Sequence, residues 1–135
     1  MASAALLAAC ASAPRADPKL DADNAELART HSVYRWKLVP GEDGAAVRTR
    51  IVIGEPAPSR ADEATQRKIM ASIAQAELTC GSAEAPKLVE TRRVADQNDR
   101  VDEAWVVTRG AAQVAYLVTL DFGAEVDYFV KGRCE

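Results

Sequence analysis

Gln113-Val114-Ala115-Tyr116-Leu117-Val118-Thr119-Leu120-Asp121-Phe122 is the stretch on which the fold turns. Side chains of a strand alternate between faces, so Val114, Tyr116, Val118, Leu120 and Phe122 share one continuous apolar side. The opposite side still carries Ala115 and Leu117, which predicts a central strand covered on both faces. Its neighbours read the same way. Lys87 to Val94, Val101 to Thr108 and Glu125 to Lys131 form strands, separated by turn residues at Asp96-Gln97-Asn98-Asp99, Arg109-Gly110 and Gly123. The segment is an antiparallel meander.

Upstream lies the strongest helix signal. After the breaker run Gly54-Glu55-Pro56-Ala57-Pro58, Ser59 stands three residues before Asp62, as in a capping box. Ile69, Ile73, Ala76 and Cys80 then recur at helical spacing with Met70 and Ala74 beside them, while Arg67, Lys68, Gln75 and Glu77 are expected to face water. Gly81 suits the left-handed position that ends such a helix. Further upstream, Val33 to Val39 alternates, with Tyr34, Trp36 and Leu38 on one face and Arg35 and Lys37 on the other. Across the turn Pro40-Gly41-Glu42-Asp43-Gly44, Val47 to Ile53 alternates again, and the two read as a hairpin. A short helix over residues 21–29, capped by Asp21 or Asp23, precedes them. The order ββαββββ predicts an α+β fold in which one main helix packs on a curved antiparallel sheet.

A chain of 135 residues holds one domain with a modest core. Much of its 48% hydrophobic content is Ala and only 5% is aromatic, so a stabiliser beyond the core is expected. The net charge of -3, with acids and arginines interspersed, offers no basic field for a nucleic-acid backbone. No run approaches the roughly 20 apolar residues that span a bilayer.

The N-terminus carries an address. Leu7-Ala8-Ala9-Cys10 has the form of a bacterial lipobox, and Met1 to Leu7 supplies a short apolar run without a basic residue. On this reading residues 1–9 are a truncated signal peptide, Cys10 is the lipidated first residue of the mature protein, and 10–31 is a tether with a short helix. Residues 32–135 form the single α+β domain. The expected location is the periplasm-facing cell envelope, with Ala11 after the cysteine favouring the outer membrane. Of the 3 cysteines, Cys10 then has its own task, which leaves Cys80 and Cys134 to pair in an oxidising compartment. Both fall on core-facing positions, and in a reducing compartment they would be two free thiols.

Cys80-Gly81, the segment Glu103-Ala104-Trp105-Val106-Val107-Thr108-Arg109-Gly110, Tyr116-Leu117-Val118 and Cys134 together resemble a recurrent domain of small uncharacterised proteobacterial lipoproteins. That domain pairs a helix ending in Cys with a Trp-bearing β-hairpin, often with Cys-Gly at the hairpin turn where this chain has Arg109-Gly110. The resemblance covers about the last 75 residues and implies a class, with no reaction attached.

Signals for chemistry are sparse. His31 is the single histidine, with no partner in view for a nucleophilic triad, and one His with two committed cysteines does not make a zinc site. The run Asp96 to Glu103 matches a calcium loop only at its first and third positions, since Arg100 and Val101 replace a ligand and the required Gly. Glu103 and Asp121 read as sheet-surface acids. No catalytic set, cofactor or metal is expected. Arg48, Arg50, Arg92 and Arg93 could form a basic face for a ligand or partner, although cross-strand ion pairs are the commoner use of such residues. Trp36 and Trp105 occupy apolar parities, with Trp105 the one expected to be partly exposed and to join that face. The function that fits is a non-enzymatic binding or interaction module, anchored to the membrane through Cys10 and facing an envelope protein or component. The alternative is a small periplasmic enzyme or inhibitor that uses a helix-sheet groove or an exposed hairpin.

Overall fold

The structure, a computed structural model, describes residues 17–123 and 125–134, so the lipobox and Cys10 lie outside the described residues. Chain order is α1 (Pro18–Arg29), β1 (Tyr34–Pro40), β2 (Ala46–Val52), β3 (Glu55–Pro56), α2 (Glu63–Thr79), β4 (Leu88–Gln97), β5 (Arg100–Arg109), β6 (Ala112–Phe122) and β7 (Val126–Lys131). The α+β class and the C-terminal meander are as the sequence pattern requires. β3 to β7 form one antiparallel sheet in sequence order, with β5 and β6 at its centre.

The first hairpin departs from the expectation of a single sheet. β1 and β2 pair only with each other, and the hairpin covers the outer face of the larger sheet. There Val33, Tyr34, Val52 and Ile53 pack on Ala104, Val106, Ala115 and Leu117. α2 covers the inner face, burying Ile69 and Ile73 against Trp105, Val107, Val118 and Leu120. Burial on both faces explains the unbroken apolar runs Ala104 to Val107 in β5 and Val114 to Val118 in β6. β3 escaped notice in the breaker run because it is a two-residue edge strand, and its Pro56 needs no ladder donor there. Gly54 precedes it with φ +99, and a Cβ there would meet the Arg93 carbonyl oxygen at 2.6 Å.

Helix ends follow local chemistry. α2 is capped by Asp62, whose carboxylate accepts the Thr65 N–H at 2.7 Å, so Ser59 is not its cap. At the other end Ser82 N–H donates to the Glu77 carbonyl and Gly81 N–H to that of Leu78, with Gly81 at φ +87, which is a Schellman motif. α1 starts earlier than Asp21: Asp17 caps it by accepting from Lys19 and Leu20 N–H groups, and Pro18 opens its first turn. It also packs on the hairpin. Asn24 exchanges two hydrogen bonds with the Trp36 backbone, and Arg48 of β2 pairs with Asp23 at 2.7 Å.

The Sγ atoms of Cys80 and Cys134 stand at disulfide distance, 2.05 Å, joining the end of α2 to the tail after β7. Gly132 lets that tail pass, because a Cβ there would run into the Tyr116 ring. No described helix is long and apolar enough to cross a membrane.

Candidate functional site

Two buried carboxylates organise the inner face, both expected on the surface from sequence. Glu77 is 1% exposed and accepts three hydrogen bonds: from Arg109 Nε at 2.7 Å and Nη2 at 2.8 Å, and from the Tyr116 hydroxyl at 2.6 Å. The Arg109 guanidinium holds the Glu77 carboxyl below its ordinary range, and Glu77 in turn raises Arg109. Burial, then the neighbouring carboxylate, pushes the Tyr116 phenol up to about 12. Glu103, also 1% exposed, accepts from the Ser59 hydroxyl at 2.7 Å, Arg60 N–H at 2.8 Å and the Trp105 indole at 3.0 Å. Glu103 thus ties the chain entering α2 to the sheet, as Glu77 ties the helix end. Every carboxylate oxygen of the two is occupied from within the protein, so both read as fold-defining groups.

The expected basic face does not assemble. Arg48 and Arg50 lie on β2, and Arg92 and Arg93 on β4 of the other sheet. As neighbours on a strand, Arg92 and Arg93 point to opposite faces. Arg92 donates twice to the Gly54 carbonyl; Arg93 donates to the Pro58 carbonyl and pairs with Asp96, its buried Nε having no partner. Trp105 is fully buried beneath α2 and presents nothing to a partner. Asp96 is occupied by Arg60 and Arg93, and Asp102 accepts from Thr119. Among the described residues, no cluster of three His, Cys, Asp or Glu is placed to hold a metal ion.

A cavity of about 190 Å³ opens on the other side of the sheet, between the hairpin layer, β6 and the C-terminal tail. Leu27, Val33, Tyr34, Trp36 and Leu117 supply apolar and aromatic walls. Around them stand Arg50, Lys131 and Arg133, and no carboxylate lines the cavity among the described residues. Arg50 stacks over the Tyr34 ring with its guanidinium carbon 4.1 Å from the centroid. The Tyr34 hydroxyl accepts the Ala115 N–H at 2.6 Å, replacing a partner that β7 no longer supplies this far along β6. His31 sits at the lip with φ 59, where it ends α1: Ser32 N–H donates to the Leu27 carbonyl and His31 N–H to that of Ala28.

Of the residues singled out from sequence, Arg50 and His31 line this cleft, as does Trp36, which parity had assigned to the core. Arg133 and Lys131 carried no sequence signal, since their position depends on the last strand and on the Cys134 link. Comparison of the chain with protein-family models, curated proteins and solved structures finds no match.

Proposed function

We propose that the protein is a non-enzymatic binding module of the bacterial cell envelope, lipid-anchored at Cys10 and facing the periplasm, whose binding site is the cleft between the hairpin layer and the sheet. The observation that carries this reading is the cleft itself: aromatic and apolar walls with a few polar and charged groups among them, the composition of small-molecule sites. The two buried glutamates, which would be the obvious acid-base candidates, are saturated by internal donors and sealed under α2. The address is supported by Leu7-Ala8-Ala9-Cys10 and by the pairing of Cys80 with Cys134, which leaves Cys10 as the third cysteine.

The test has two readings from one preparation. Cells expressing the full chain are fed an alkyne-tagged fatty acid, and the protein is extracted from the envelope in mild detergent for native mass spectrometry. Wild type is expected to carry the tag and a non-covalent small-molecule adduct; Cys10→Ser loses the tag, and Trp36→Ala loses the adduct. An untagged wild type overturns the anchoring, and a wild type without adduct overturns the binding role.

A further inference from the structure

We infer that the cleft takes an organic monoanion with a ring-sized apolar body, a carboxylate above all. The inference rests on the cleft being the binding site and adds the chemistry of its occupant. Size comes first. At about 190 Å³ the cavity is a little larger than the roughly 150 Å³ engineered cavity that accepts benzene, and below the roughly 300 Å³ at which drug-sized pockets begin. It suits one ring or a short acyl chain. The walls agree, because Trp36 and Tyr34 offer flat apolar faces and Leu27, Val33 and Leu117 complete them.

Charge selects the ligand's polar group. In a chain of net charge -3, three cations border one cavity without a carboxylate in its lining. The side chains of Lys131 and Arg133 make no hydrogen bond or salt bridge to a described residue, and among the described residues the Arg50 side chain has its stacking on Tyr34. Glu26 lies within electrostatic reach of Arg133, but its carboxylate is already held by both Nε and Nη2 of Arg29. The Tyr34 hydroxyl has accepted one hydrogen bond and keeps its own proton to give. A carboxylate in this cleft meets guanidinium, ammonium and phenolic donors, while a cation meets like charge. A neutral analogue gains the walls alone.

The full chain with Cys10→Ser, which leaves the described residues unchanged, is titrated with 3-phenylpropionate, 3-phenylpropanol and 3-phenylpropylamine and followed by ¹H–¹⁵N NMR. The Trp36 indole and Ala115 amide report on the cleft; the Trp105 indole, locked on Glu103, is the internal control. The expected result is movement of the first two signals only, with the carboxylate binding about tenfold tighter than the alcohol and more weakly as salt rises. Arg133→Gln and Lys131→Gln are each expected to weaken the carboxylate about threefold and leave the alcohol unchanged. Equal binding of alcohol and carboxylate, or preference for the amine, overturns the anion inference while the cleft stands as the binding site. If no ligand moves Trp36 or Ala115 at millimolar concentration, both fall.

Discussion

Glu77 shows how a single residue can be misread by its charge. It follows Ile69 and Ile73 in steps of four, so its position places it on the buried stripe of α2, and the helical spacing alone would have found it. What the spacing could not supply is its partner, because Arg109 arrives from β5 across the fold. The same holds for Glu103, which shares the inward parity of Val101, Trp105 and Val107. Glu77→Gln removes the charged acceptor of the two short Arg109 hydrogen bonds and is expected to cost about 2 to 3 kcal/mol, read from urea midpoints at neutral pH. The ordinary carboxyl value is 4.5 and the folded value is lower, so the stability Glu77 contributes is present above pH 4.5 and lost as pH falls through the folded value. The variant should therefore show a shallower acid limb. Tyr116 works in the opposite direction: its folded value of about 12 lies above the ordinary 10.0, so stability drains away as pH rises between them. Tyr116→Phe should flatten that alkaline limb, again in urea midpoints against pH. His31 occupies a left-handed position that glycine takes without strain, and His31→Gly is expected to raise stability by about 0.5 to 1 kcal/mol after the greater freedom of the unfolded chain is counted.

At the scale of elements, β6 and β7 were legible because their period of two survives, whereas β4, whose register shifts twice, keeps no such period; the stop of α2 was legible because Gly81 serves a backbone need. The start of α2 was not, since Ser59 and Asp62 are both good caps and only the long-range carboxylate decides between them. Glu103 draws the Ser59 hydroxyl away and leaves Asp62 to the helix. Asp62→Ala should cost about 1 kcal/mol. A double-mutant cycle of Ser59→Ala with Glu103→Gln should show coupling, and one of Ser59→Ala with Asp62→Ala should be additive. The hairpin hid its place for a related reason. Its register sets Arg48 and Arg50 on the face shared by Leu38 and Trp36, and Arg48 is compensated only once α1 brings Asp17 and Asp23 over it. No pattern within β2 records that.

Across the whole molecule, two layers hold unequally to the central sheet. α2 buries Ile69 and Ile73 completely, whereas α1 buries no residue fully and rests on Asn24, the Arg48 pairs and the packing at the hairpin base. Hydrogen exchange should accordingly be slowest in β5 and β6 and faster in α1. Tyr34→Phe should selectively expose the Ala115 amide, whose acceptor it removes. The cleft was beyond the reach of sequence reading because its lining comes from α1, β1, β2, β6, β7 and the tail, with residues as far apart as Leu27 and Arg133. The Cys80–Cys134 link divides the chain in another sense. Residues 80–134 form a closed covalent ring that contains β4, β5, β6 and β7, while both helices up to Thr79 and the hairpin hang outside it. A protease that cuts once inside the ring, after exposed Arg100 at the start of β5, leaves a single species on a non-reducing gel that parts in two on reduction. One cut after exposed Glu42, in the hairpin loop, separates the pieces under either condition. The cross-link thus sorts nicks by which side of Cys80 they fall on, and a two-lane gel maps it.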